Sequence, residues 1–350
     1  AAALAATVVG GLRWLRVSQR EHYLPGRSTR IAQLWFSLSP IDLALAVLAL
    51  LLALAALVPA ASLAAIPAAG LAAVLPRGLG IHGRTSRLAW TSRLRRLALA
   101  WAVLVALLLV ALGLLVGAGA TALVALTVPL TVDLAATIMG VVEKRISAPF
   151  VAKAQQRLAR VRPTVVAITG SYGKTSTKGY VAHLLAMSRG VVASPASFNN
   201  RLGLSRAVND GLVEGTEVFV AEMGTYGPGE IRELCALFPP DIAVITTIGE
   251  AHLERMGSRE TILAAKSEIT ERAGTVVLPI DEDGLRALAE RCRAEGKRVV
   301  TCSVRTEGDE VREADVVVDL RARTAVVQQA GRAHTLALGE GIAHGVNLGV

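Results

Sequence analysis

The run TGSYGKTST, Thr169 to Thr177, sets two glycines, a lysine and a row of hydroxyl side chains between a β-branched stretch and a helical one. That order suits a phosphate group. Gly170 and Gly173 let the backbone N–H groups of the loop, through Ser171 and Tyr172, converge on phosphate oxygens, and the helix that follows adds its dipole. Lys174 supplies a point charge for the β- and γ-phosphates. The Thr175 hydroxyl is a ligand for Mg²⁺, with Ser176 beside it at the opening of the helix. Only two residues separate the glycines, so this loop is more compact than the common form.

Four further groups have types and positions that serve phosphoryl chemistry. Glu222 follows the apolar run Val218–Ala221, and a carboxylate at the C-terminal end of a parallel strand faces the crevice where ligands bind. His252 lies in a loop after Ile242–Thr246, and a neutral imidazole there is a candidate metal ligand. Ser258 can cap a helix running to about Arg272, which puts Ile262, Lys266 and Ile269 on one apolar face. An ammonium there must be neutralised or paired, with Glu268 or Glu271 as the nearest partners. Asn199 and Asn200 follow the second strand, where loop amides either bind a peptide substrate or do ordinary turn work.

The compact loop TGSYGKTST, together with SFNNRLG (Ser197–Gly203), VAEMGTYGPGEI (Val220–Ile231) and IGEAHLERMGSRETILAAKSEI (Ile248–Ile269), resembles the Mur ligases, the ATP-dependent amide ligases of peptidoglycan precursor synthesis. Within that family the motifs are most similar to the enzymes that add a D-alanyl-D-alanine dipeptide. The resemblance covers residues 164–350. It implies an ATP-dependent carboxylate–amine ligase working through an acyl phosphate on a peptidoglycan-precursor peptide, with catalytic Lys174, Lys266 and His252. It also implies two Mg²⁺ ions, one at Thr175 and Glu222 and one at His252 and a carbamylated Lys266. In GIAHGVNLGV at the end of the chain, Asn347 takes the place of an adenine contact, with one residue fewer after His344 than the family pattern has.

These groups need a scaffold, and the sequence predicts one. Strands are expected at Thr164–Ile168, Val191–Ala193, Val218–Ala221, Ile242–Thr246, Val276–Leu278 and Val299–Cys302, with helical stretches between most of them. That alternation predicts an α/β phosphate-loop domain with a mostly parallel sheet. From Asp315 to Leu338 the pattern changes to short antiparallel strands with a turn at Gly331–Arg332.

Before residue 164 the character differs. Residues 1–163 carry a net charge of +13 and residues 164–350 a net of −4, together +9. The negative soluble half argues against nucleic acid as a partner. Residues 43–76 and 97–132 hold no charged side chain, and each as one helix would be about 50 Å long, too long for one crossing. Two helical hairpins are expected, turning at Pro59–Ser62 and Gly117–Thr121. Arginine- and lysine-rich flanks place every connecting loop on one side. The expected organisation is a membrane domain over 1–142, with its tryptophans as interfacial anchors and Ala1–Gly11 as the stump of another span. A basic juxtamembrane linker follows over 143–163, and the ATP-binding domain over 164–350 faces the cytoplasm of a bacterial membrane. Asp133, inside the last apolar run, is a candidate functional carboxylate or a helix-end residue.

The chain departs from the family in three ways. The membrane region stands where Mur ligases carry a domain for the UDP-sugar end of the acceptor. A C-terminal Rossmann-like domain is expected beyond Val350, so the sequence reads as a fragment. Pro279, in LPIDED, stands where the dipeptide-adding enzymes carry Asn. The membrane region favours membrane lipid as a partner and a lipid-linked acceptor beside a UDP-linked one. Alternative readings are a membrane ligase that makes a poly-amino-acid or amidates a lipid-linked precursor, and a nucleotide-gated membrane protein without ligase activity.

Overall fold

The computed structural model describes residues 1–83, 88–117, 120–251, 253–304, 314–329, 331–339 and 345–350. They fall into two units, Ala1–Ile146 and Ser147–Val350.

The first unit is helical. Its elements are α1 (Ala2–Arg20), α2 (Arg27–Leu38), α3 (Pro40–Ala55), a 3₁₀ turn (Pro59–Ala64), α4 (Ala65–Val74), α5 (Ser92–Leu115), α6 (Thr121–Leu126) and α7 (Val128–Val161), the last divided between the units at residue 146. Ser39 opens α3 by accepting the Asp42 N–H, and Thr91 opens α5 by accepting the Leu94 N–H. The core gathers Trp14, Leu15, Leu94, Trp101, Val105 and Val132. Gly11 lies under the Trp101 ring, where an added Cβ would come 2.0 Å from a ring carbon. The Trp101 indole N–H donates to Thr131 Oγ1 at 3.0 Å.

Three expectations change here. Trp14 and Trp101 are core residues, not interfacial anchors. Asp133 accepts the backbone N–H groups of Ser28 and Thr29 at 3.1 and 2.8 Å, so this carboxylate caps the start of α2, the helix-end alternative. Two hairpins would need four long helices. Among the described residues only α5 is by itself long and apolar enough to cross a membrane; α2 and α3 qualify together but bend by 113°. Pro59 and the 3₁₀ turn cut the first apolar run short, and α6 has only 6 residues. Two ion pairs lie near the ends of the apolar runs. Asp42 and Arg77, the charges that bound the first run, meet at 2.6 Å. Arg96 and Glu143, on either side of the second, also meet at 2.6 Å. The first apolar run therefore leaves and returns at one place.

The second unit is α/β. Its elements in order are β1 (Thr164–Thr169), α8 (Lys174–Leu185), β2 (Val191–Ala193), α9 (Arg201–Gly211), β3 (Val218–Glu222), α10 (Glu230–Leu237), β4 (Ile242–Ile245), α11 (Leu253–Met256), α12 (Arg259–Ser267), β5 (Thr275–Pro279), α13 (Asp283–Ala294), β6 (Arg298–Ser303), β7 (Val316–Asp319), β8 (Thr324–Gln329), β9 (Arg332–Ala337) and α14 (Gly345–Gly349). The sheet order is β2-β3-β1-β4-β5-β6-β7-β8-β9. Pairing is parallel from β2 to β7 and antiparallel across β7, β8 and β9.

The central strands β1 and β3 are buried on both faces, which is why they read as unbroken apolar runs without alternation. Phe219, Phe238, Leu204, Met223 and Ile231 fill one side of the sheet. After β1 the chain crosses to the edge strand β2, comes back through β3, and then passes to β4 on the other side of β1. A crevice opens at such a change of direction, at the carboxyl ends of the strands. The register of β1 against β3 sets Ile168 beside Glu222. That pairing carries the carboxylate to the start of the glycine loop.

Candidate nucleotide and metal site

The glycine loop leaves β1 at that crevice. Gly170 has φ of +151°, and a Cβ there would come 1.9 Å from Thr246 Oγ1. Gly173 has φ of +83°, caps α8, and would collide with the Asn347 side chain. Both positions therefore require glycine. Part of the loop is braced by the segment after β4. The Ser171 N–H donates to the Thr247 carbonyl at 2.8 Å and the Tyr172 N–H to Thr247 Oγ1 at 3.2 Å. Ser171 Oγ and the Gly249 backbone also bond to each other. Ser171 and Tyr172 thus spend their N–H groups on the protein, contrary to the expectation that they converge on phosphate. The first turn of α8, from Gly173 to Thr175, has no side-chain cap and is the part of the loop that suits an anion.

Lys174 curls back over this turn and donates to the Gly170 carbonyl at 2.7 Å. Burial lowers its pKa, against the pull of Glu222. The Thr175 hydroxyl donates to Glu222 Oε2 at 2.9 Å. Glu222 is buried, accepts from Asn199 Nδ2 at 3.3 Å, and its N–H donates to Ser194 Oγ at 3.1 Å. Asn199 therefore belongs to the site. Asn200 does not reach it: its side chain caps α9 by accepting the Gly203 N–H at 3.0 Å, the turn work expected as the alternative.

Ser258 caps α12 as expected, and the helix runs to Ser267 before tightening into a 3₁₀ turn over Glu268–Thr270. Lys266 is buried with Ile262 and Ile269. Its expected partners are engaged elsewhere. Glu268 accepts the N–H groups of Gly229 and Arg232 at the start of α10, at 2.6 and 3.0 Å. Glu271 takes the Arg232 guanidinium through two bonds. Burial first, and then the charge of Lys174, lower the Lys266 pKa to about 7. His252 lies outside the described residues.

Asn347 on α14 packs against Gly173, and its carbonyl accepts from Thr177 Oγ1 at 3.1 Å. Beside it opens a cavity of about 370 Å³, lined by Tyr172, Ser176, Thr247, Val304, Leu320 and Val346 among others. Ser176 thus borders a cavity and not the carboxylate. One residue escaped the sequence reading. Lys178 is buried and its Nζ lies 2.9 Å from Glu222 Oε2. Its only trace in the sequence is a second lysine one turn beyond Lys174.

The paired oxygens of Thr175 and Glu222 suit Mg²⁺, which takes one or two carboxylates and completes its shell with water and phosphate. Among the described residues no cluster of three His, Cys, Asp or Glu side chains could hold a metal ion.

A strand, a compact glycine loop, a Lys–Thr pair and a carboxylate from the neighbouring strand are now in one place. Residues 168–341 match the Mur ligase middle domain family. The α/β unit is a Mur ligase middle domain. The UDP-N-acetylmuramoyl-tripeptide–D-alanyl-D-alanine ligase of Mycobacterium leprae is 41% identical to this chain over 139 residues, 39% of this chain and 27% of that protein. The enzyme of the same name from Bacillus subtilis is 39% identical over 142 residues, 40% of this chain and 31% of that protein. The solved structure of MurF ligase from Thermotoga maritima in complex with ADP is 30% identical, with a TM-score of 0.48 over 57% of this chain and 46% of that one. The chain spans no more than 31% of the length of these two curated relatives. The family match lies within the α/β unit.

Proposed function

We propose that this protein is an ATP-dependent carboxylate–amine ligase that extends a peptidoglycan-precursor peptide, adding D-alanyl-D-alanine or a similar amino acid or dipeptide. The observation that carries the reading is the meeting of the Thr175 hydroxyl, the Glu222 carboxylate and Lys174 at the uncapped start of α8. ATP lies with its triphosphate on Gly173–Thr175 and its base toward the cavity beside Asn347. The acceptor carboxylate attacks the γ-phosphorus in line, ADP leaves, and an acyl phosphate forms. The amine then attacks the acyl carbon, releasing phosphate and a proton. Lys174 and the first-turn N–H groups stabilise the charge on the transferring group. Asn199 holds Glu222 in place. Thr175 and Glu222 would hold one Mg²⁺, and His252 and Lys266 a second, and the ions would supply charge neutralisation at the phosphates.

The Lys266 reading is supported by its burial, by the engagement of both nearby carboxylates elsewhere, and by its pKa of about 7. A neutral amine attacks CO₂ and loses a proton to become a carbamate, which is an oxygen ligand. Residues 1–142 hold the enzyme in a bacterial cytoplasmic membrane as a multi-pass anchor in contact with lipid, with the ligase domain on the cytoplasmic side. Support comes from Leu99, Val103, Leu107, Val110 and Leu114, which form an exposed stripe along α5. The two ion pairs near the ends of the apolar runs add to it.

The test is phosphate release by the protein in detergent with ATP, Mg²⁺ and D-alanyl-D-alanine, using UDP-linked and lipid-linked muramoyl-tripeptide acceptors. Release is expected to need both acceptor and amine, and to fall at least about a hundredfold in Lys174→Ala. Turnover indifferent to acceptor and to Lys266→Ala would refute the ligase reading in favour of a nucleotide-gated membrane protein.

A further inference from the structure

The charge nearest the proposed metal ligands belongs to a residue without a part in the reaction as written above. Lys178 lies on α8 one turn beyond Lys174 and is 5% exposed. Its Nζ lies 2.9 Å from Glu222 Oε2 and donates to the Ala196 carbonyl at 2.5 Å. Ala196 has φ of +41°, a left-handed backbone that alanine seldom adopts, so surrounding contacts must hold it. Lys178 supplies one of them. The oxygen it faces is the same one that accepts the Thr175 hydroxyl. Glu222 is 2% exposed, and a carboxylate that deep is costly without a counter-charge.

We propose that Lys178 is a positioning residue that serves as an internal counter-cation. It neutralises Glu222 while the nucleotide site is empty, and so keeps free divalent metal out until the metal arrives with the triphosphate. The inference rests on the reading of Thr175 and Glu222 as metal ligands. A divalent ion on those oxygens sits within a few ångströms of the ammonium, where repulsion in a poorly solvated site is strong. The triphosphate brings enough negative charge to offset it. Through Ala196 the same lysine fixes the loop that carries Asn199.

The experiment is a Mn²⁺ titration by electron paramagnetic resonance of the protein in detergent, with and without a non-hydrolysable ATP analogue. Wild type is expected to bind free Mn²⁺ at least about tenfold more weakly than it does with the analogue. Lys178→Gln removes the charge but keeps a donor for Ala196, and free Mn²⁺ should bind at least about tenfold more tightly. Lys178→Arg keeps the charge and should stay within about threefold of wild type. Adding Glu222→Gln to Lys178→Gln should abolish the gain.

The proposal is overturned if wild type binds free Mn²⁺ as tightly as it does with the analogue, a result that needs no variant to fold. It is overturned equally if Lys178→Gln gives no gain, or a gain that survives Glu222→Gln. Analogue-dependent Mn²⁺ binding that ignores Glu222→Gln removes the ligand reading and this inference with it. Dependence on Glu222 without a gain in Lys178→Gln leaves the ligand reading standing and removes only the role of Lys178.

Discussion

The two units bury charge for different ends. In the α/β unit Glu222, Lys178, Lys266 and Glu268 lie buried around the glycine loop and the two helices beside it, and only some of them are paired. In the helical unit the buried carboxylates Asp42 and Asp133 do structural work, one closing an apolar run against Arg77 and one capping α2. Their surfaces differ in the opposite sense. Leucines and valines stand outward along α3, α5 and α7, whereas the central strands of the α/β unit are covered on both faces. Charge held inside without full compensation marks the unit proposed to do chemistry. Apolar side chains held outside mark the unit proposed to meet lipid.

The largest expected effect tests the first half of that contrast. Lys266 has its pKa lowered to about 7, so between that pH and the ordinary lysine range the folded state binds fewer protons than the unfolded chain. Stability must then rise with pH across that window, and the penalty is full below it. Lys266→Met removes the penalty. The nucleotide-free variant should exceed wild type by a few kcal/mol near pH 6, on the order of 1.4 kcal/mol per unit of pKa, and the gap should shrink toward pH 10. Urea midpoints by pulse proteolysis of the α/β unit measure it. A gap that does not change with pH would mean that the folded unit compensates the ammonium fully.

The second half is tested on α5. Leu107→Asp places a charge on its outward stripe and should cost about 3 kcal/mol of insertion in a translocon assay. No effect would mean that the stripe meets something other than lipid. A smaller effect is expected inside the helical unit. Gly11→Leu has no room under Trp101 and should lower stability by about 2 kcal/mol, read as the thermal midpoint in detergent. The smallest belongs to the surface of the α/β unit. The Arg232 guanidinium holds the Glu271 carboxyl below the usual range, so its contribution is present above that range and lost as pH falls from there through the lowered value. Glu271→Gln should cost less than about 1 kcal/mol at pH 7, and progressively less as the pH falls through the lowered value, by the same proteolysis measurement. A larger loss would show that exposed pairs here do more than the buried ones.

Much of the α/β unit was readable because its signals are local. β2 spans Val191–Ala193 as expected, and β8 and β9 pair antiparallel as expected, although Arg332, expected in the turn with Gly331, opens β9 opposite Gln329. The Ser258 cap needs only its own side chain and the N–H three residues on. The helical unit was read less well. Apolar composition does not say where a long run stops being one helix, and indole rings that pack in a core look the same in sequence as rings at an interface. The site was half visible. Lys174, Thr175 and Glu222 announce themselves by strand and loop context. Asn199 and Asn200 are adjacent and alike, yet one turns to Glu222 and the other to the start of α9.

By itself the sequence determined the compact phosphate loop, the strand rhythm, the capped helix that carries Lys266 and the division of charge between the two halves. All of these depend on residue type and near-neighbour spacing. The tertiary structure decided which charges are buried and against what. The β1–β3 register brings Glu222 to Thr175 and Lys178, and α10 draws Glu268 and Glu271 away from Lys266. A desolvated charge takes its energy from whatever surrounds it, and those surroundings are set by strands and helices distant in the chain.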